Sequence, residues 1–212
     1  MARSTGAVGK SHQARRLEIL ARLTQRLTEA NAMHASYREL AAAAGVSLST
    51  LQHYFGRRDE VVAAVLSQAK AAAAPHFATL AEPLGSLEES VVAALRQLRL
   101  GFEQFGVGEI HALALVEGLR NATIGPITVD TVLEPSIAAL ATRLASHQQR
   151  GDMRRDVEPR HAALMLLAPP LLLFLHQEQL HGAQDYPVDL NGFFESHGRS
   201  FLRAHRASLA PE

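Results

Sequence analysis

Residues 36–55 read SYRELAAAAGVSLSTLQHYF, and the reading of this stretch decides the fold. Its pattern predicts two short helices joined by a tight turn. Ser36 and Glu39 have the S-x-x-E spacing of a capping box, in which each side chain satisfies a backbone N–H left unpaired at a helix start. Leu40 follows, with a row of alanines small enough to let another helix come close. Gly45 is placed to end the first helix, because a left-handed residue past the last turn costs glycine little. Val46 is the apolar plug of the turn, and Ser47 can cap a second helix. On that helix Leu51 and Phe55, four apart, face inward and leave Leu48, Ser49, Gln52 and His53 outside.

A short helix with one apolar edge and one hydrogen-bonding edge is the form that enters a DNA major groove. The spacing A-x-x-A-G-V-S-x-x-T-L-x-x-Y-F-x-x-R-D, from Ala41 to Asp59, resembles the DNA-binding domain of the TetR family of bacterial regulators. The match covers most of residues 12–70, with turn, core and phosphate-contact positions in register. One position departs: the family usually has Tyr where this chain has Gln52, which puts that position's usual contact in question.

The resemblance implies an all-α fold, with an N-terminal three-helix helix-turn-helix domain and a C-terminal helical domain for ligand binding and dimerisation. It also implies a homodimer on a roughly palindromic, double-stranded operator, commonly blocking transcription. Two other readings use the same residues. One is a regulator that activates or answers a protein partner; the other is a helical ligand-binding or enzymatic protein that has lost DNA binding, which Gln52 would favour.

Composition agrees with an ordinary globular protein: 212 residues, 47% hydrophobic and 20% charged, enough for one large or two modest domains. No cysteine is present, so disulfide and thiol chemistry are excluded and a reducing cytoplasm fits. The apolar run from Leu164 to Leu175 is too short for a bilayer and holds two prolines. The basic N-terminus has no apolar segment behind it and is no secretory signal. The expectation is a cytoplasmic protein with no membrane partner. Net charge is zero, yet residues 1–60 carry 9 Lys and Arg against 5 Asp and Glu. A basic N-terminal part and an acidic remainder suit DNA binding through one end.

In chain order, residues 1–11 are expected to be a disordered basic tail, with Arg3 and Lys10 free to reach phosphate. Residues 12–58 form the helix-turn-helix domain. Its first helix spans about 12–30, with Leu17, Leu20, Leu23 or Thr24, and Leu27 inward. A fourth helix over 59–79 is the connector, kinked or ended by Pro75. Residues 80–212 are the ligand-binding and dimerisation domain. Ser86 and Glu89 form a second capping box, opening a helix with Val91, Leu95, Leu98, Phe102 and Phe105 on one face. Gly106 and Gly108 are placed to close it. A helix over 109–121 follows, then a longer one ending near Arg150, with Pro126 and Pro135 blurring its start. The next helix opens at Pro159 after a loop that also resembles the family's. Pro169 and Pro170 break it, freeing the carbonyls of Met165 and Leu166. That break reads either as an opened ligand space or as a simple separation of two packed helices. A last helix spans 189–205.

Thr50, Tyr54 and Arg58 are placed as phosphate contacts, which fix register without reading sequence; core packing is the other reading of Tyr54. Leu48, Ser49, Gln52 and His53 are the candidates for base edges, since Gln pairs with adenine and Leu can touch a thymine methyl. Arg38 reads either as a base contact, as in some relatives, or as a solvated or phosphate-bound arginine. Ser36, Tyr37 and Ser47 complete the expected DNA-facing set.

For a small apolar or weakly polar effector, the candidate lining is Phe102, Phe105, His111, Leu115, Met165 and Pro169. For the dimer, Phe193, Phe194, His197, Gly198 and Phe201 on the last helix are the candidates, Gly198 marking a close helix approach. Eleven histidines lack the spacings of a zinc site. No nucleophile elbow, phosphate loop or dinucleotide fingerprint is present, so no metal, cofactor or enzymatic activity is expected.

Overall fold

The computed structural model describes residues 5–29 and 34–207, with side chains from His12 onward. Arg3 and the Lys10 side chain, expected to reach phosphate, lie outside the described residues. The fold is all-α. Its helices are α1 (Thr5–Thr28), α2 (Tyr37–Ala44), α3 (Leu48–Phe55), α4 (Arg58–Ala81), α5 (Leu87–Gln104), α6 (Val107–Arg120), α7 (Ile124–Thr128), α8 (Glu134–Arg150), α9 (Pro159–Phe174) and α10 (Leu190–His205). Short π-helical segments, Val129–Leu133 and Leu175–Gln179, extend α7 into α8 and α9 beyond Phe174. Packing divides the chain into two units, Met1–Ala69 with Leu113–Thr128, and Lys70–Ala112 with Val129–Glu212.

In the first unit, α1 starts at Thr5, earlier than periodicity predicts, so residues 5–11 are helical rather than a loose tail. Its inner face is Ile19, Leu20, Leu23 and Leu27, all buried, whereas Leu17 is 45% exposed. The correction is one of phase: the helix turns Ile19 into the place Leu17 was expected to take. Leu40, Leu51, Phe55, Val61, Val62, Val65 and Leu66 are also buried in this unit. From the second stretch of the unit, Leu113, Ala114 and Ile124 are buried as well. Gly118 lets α6 and α7 approach, since a Cβ there would fall 2.6 Å from Thr128 Oγ1.

In the second unit, α8 and α9 form the core with α5 and α10, through Leu95, Leu140, Leu144, Leu166, Phe174 and Phe201 among others. Pro75 does not end α4, which continues to Ala81. Its last turn is capped from another helix. Arg143 of α8, buried, donates to the carbonyls of Leu80 at 2.7 Å and Thr79 at 2.9 Å, and to that of Ser90 at 2.8 Å. Carbonyls at a helix end have no partner of their own, and a cation suits the negative end of the helix dipole. Burial pushes the guanidinium's proton affinity down, and Glu82 nearby offsets part of that. Gly108, expected to help close α5, lies instead inside α6. Pro169 and Pro170 do not break α9, which continues through Phe174.

The run Ile124–Arg150 is long and apolar enough, by length and composition alone, to cross a membrane. Within it, Leu140 and Leu144 are fully buried in the core of the second unit.

Candidate nucleic-acid interface

The capping box at α2 is formed as its sequence requires. Ser36 Oγ accepts from the Glu39 N–H at 3.3 Å, and Glu39 Oε2 accepts from the Ser36 N–H at 2.7 Å. The Ser36 hydroxyl also donates to Glu39 Oε2 at 2.7 Å, and this bond, with that from the Ser36 N–H, lowers the pKa of the Glu39 carboxyl. Gly45, at φ 68°, turns the chain, and the Gly45 and Val46 N–H groups return to the carbonyls of Ala42 and Ala41. Ser47 then caps α3 by accepting from the Thr50 N–H at 3.1 Å. Three hydroxyls gather at this start: Ser47 Oγ lies 2.9 Å from Ser49 Oγ and 2.8 Å from Thr50 Oγ1. The first turn of a helix carries unpaired N–H groups and a partial positive charge, a natural seat for phosphate.

Leu51 and Phe55 are buried, so α3 is fixed by one edge; Leu48, Ser49, Gln52 and His53 are exposed on the rest. Those four residues therefore share the outer face, as their spacing predicts. Arg38 is exposed on α2. Tyr54 is half-buried, and its ring stacks on that of His12 at 4.6 Å, with His53 edge-on at 5.5 Å. Nothing in the motif pointed to His12, which reaches α3 only because α1 packs beside it. Tyr37 is half-buried, and its hydroxyl donates to the Gly56 carbonyl at 2.6 Å, tying the start of α2 to the end of α3. Burial raises the pKa of that phenol, with Glu60 adding to it.

Arg58 has a more specific place than its motif position suggests. Its Nη1 and Nη2 donate to the two carboxylate oxygens of Glu117 on α6, at 2.8 and 2.7 Å. Its Nε donates to the Ala35 carbonyl at 3.0 Å. The Glu117 side chain is only 7% exposed. The carboxylate's hydrogen bonds raise the arginine's pKa. Fifty-nine residues separate the partners. The available sequence signal was one acidic residue, Glu117, inside the apolar run HALALVEGLR.

The other candidate sites are only partly assembled. Phe102 stacks on Phe174 at 4.4 Å and lies 5.5 Å from His111, so these rings do adjoin. Phe105, however, is 63% exposed and Met165 57% exposed, both on the surface rather than lining a cavity. Pro169 is half-buried, and Leu115 falls in the first unit. Among the residues expected at a dimer interface, Phe194, Gly198 and Phe201 are buried inside the second unit. The close approach at Gly198 is to α5 of the same chain, where a Cβ would fall 3.2 Å from Leu95 Cδ1. Phe193 and His197 are half-buried and line an open groove of about 470 Å³ with Gly192, Ser196 and Ser200. Among the described residues no group of three or more His, Asp or Glu side chains is placed to hold a metal ion.

The geometry defines an all-helical protein with an N-terminal helix-turn-helix followed along the chain by further helices. Its fold is that of the TetR-family transcriptional regulators, such as one from Marinobacter aquaeolei with a TM-score of 0.63 at 14% identity, covering 94% of this chain and 99% of that one. Salmonella enterica GusR aligns with a TM-score of 0.67 at 23% identity, over 90% of this chain and 94% of its own. Bacillus subtilis FadR, solved in complex with stearoyl-CoA, aligns at 0.63 and 16% identity, over 88% of this chain and 95% of its own. No protein-family profile matches the sequence, and no curated protein matches it.

Proposed function

We propose that this chain is a sequence-specific DNA-binding transcriptional regulator, a cytoplasmic homodimer acting as a ligand-responsive repressor on a palindromic operator. The observation that carries this reading is the outer face of α3, where Leu48, Ser49, Gln52 and His53 are all exposed on a doubly capped helix. Phosphate contacts from Ser36, Arg38, Ser47, Thr50 and Tyr54 would set that helix in register. Two such helices must fall about one helical turn apart to read successive major grooves, which is the reason to expect a dimer.

The dimer surface that fits best is the outer face of α9 together with the groove on α10. Leu164, Met165 and Leu172 are exposed there, Leu172 at 68%. Apolar side chains at these spacings form one stripe along the helix, and a contiguous stripe of this kind marks an interaction site. On α10, His197 reaches α9 at the Leu166 carbonyl, and Phe193 stacks on His197. A small effector would act by favouring a dimer with wrongly spaced recognition helices. The stearoyl-CoA complex of the Bacillus subtilis relative supports a ligand of some kind in this fold. The Phe102–His111 neighbourhood is where an apolar or weakly polar one would be sought first.

The test is selection of bound duplexes from a random DNA pool. The reading expects enriched inverted repeats with half-sites about one helical turn apart. Recovery of no enriched sequence, with binding no tighter than to the starting pool, would remove sequence-specific regulation.

A further inference from the structure

Arg58 stands at the first residue of α4, three positions beyond the last residue of α3. A cation is disfavoured at a helix N-terminus, because the dipole there is positive. Its presence calls for an anion close by, and Glu117 supplies one with both carboxylate oxygens. A guanidinium fork matches carboxylate and phosphate equally well. The Nη1 and Nη2 groups that hold Glu117 are the groups that a DNA phosphate would need. Both residues lie in the first unit, so the contact belongs to the unit that carries α3. Helix α6 itself starts among residues of the second unit and reaches Glu117 three residues before its end.

We infer that Glu117 competes with the DNA backbone for Arg58, so that the structure shows the side chain held away from phosphate by a carboxylate on α6. The inference rests on the DNA-binding reading. Glu117 is then an affinity-setting residue that never touches DNA. A shift of α6 by a fraction of a turn would carry the carboxylate out of reach, and Arg58 would pass to the phosphate. A pair that served only to position α4 would give the opposite result, since breaking it would weaken binding.

The experiment measures fluorescence anisotropy on a labelled, mixed-sequence duplex of about three helical turns, across a salt series. Glu117→Gln keeps the shape and removes the charge. The competition expects it to bind about five-fold or more tighter than the native chain. It also expects the slope of log affinity against log salt to steepen by about 0.9, the value of one phosphate contact. Adding Arg58→Ala to Glu117→Gln should abolish both gains. Glu117→Asp, which keeps the charge but shortens its reach, should shift both quantities the same way and serves if the glutamine variant loses its helical circular dichroism. Native protein that binds the duplex, with variants that bind equally or more weakly, overturns the competition and leaves the DNA reading standing. Native and variant chains that all fail to bind any duplex, selected ones included, overturn both.

Discussion

His197 on α10 lies with Nε2 3.0 Å from the carbonyl oxygen of Leu166 on α9. That carbonyl is the one Pro170 leaves without its helical partner, because proline has no N–H to donate four residues on. A carbonyl acceptor requires the Nε2–H tautomer, so the ring is a donor here. The freed carbonyl, which in sequence could equally ask for water or a ligand, is answered from within the chain. At Pro170, α9 therefore continues with its freed carbonyl paired.

If that bond matters, His197→Ala should destabilise the fold by about 1 kcal/mol, the net value of such a bond. In a Pro170→Ala background, where the backbone N–H is restored, the same change should cost measurably less. A double-mutant cycle in urea reads the difference; strict additivity would mean the two residues are not coupled.

Arg143 is the cap of α4. Arg143→Met should cost about 2–4 kcal/mol, since three charge-assisted bonds are lost and buried carbonyls are left without donors. Chemical denaturation followed by circular dichroism measures it. A loss under half a kilocalorie, of the order of about 0.5 kcal/mol typical for surface changes, would mean water replaces the guanidinium.

His111 is buried, and burial lowers its pKa while its bond to the Val107 carbonyl pulls the other way. The neutral ring is therefore favoured in the fold. Below about pH 6.5 the unfolded chain takes up a proton that the folded one refuses. The stability this group contributes is present above that pH and is lost as pH falls towards the lowered folded value. His111→Gln should flatten that part of the stability profile in thermal melts between about pH 7 and 5. Identical slopes for both proteins would remove His111 as the cause.

On the outer face of α3, Gln52→Ala and His53→Ala should relax preference at particular base pairs by about 1–3 kcal/mol each, with little effect on unrelated DNA. Operator selection with each variant is the measurement. A sequence preference unchanged in both would take these two residues out of the reading set.

The dimer proposal separates two kinds of change. Met165→Glu and Leu172→Glu alter exposed side chains and should give folded monomers by sedimentation. Gly198→Leu presses on Leu95 inside the same chain and should cost about 1–3 kcal/mol by overpacking. Folded dimers from both glutamate variants at micromolar concentration would place the interface elsewhere.

The sequence alone determined what depends on neighbours along the chain. Ser36 with Glu39, Gly45, and Ser47 set the ends of α2 and α3 through bonds that reach three or four residues. Leu51 and Phe55 set which face of α3 is turned inward by a periodicity of the same range. The register of the helix-turn-helix, and the four residues on its outer face, were legible for that reason. Tertiary packing decided what depends on residues far apart. It placed Glu117 against Arg58, His12 against Tyr54, and His197 against Leu166. It also gave Gly198 to α5, and left Phe105 and Met165 on the surface. A helix face can be read as apolar without showing what covers it, because the partner is chosen by how whole helices cross. A lone acid such as Glu117 gives still less away, since the cation that pairs with it is brought back from 59 residues earlier.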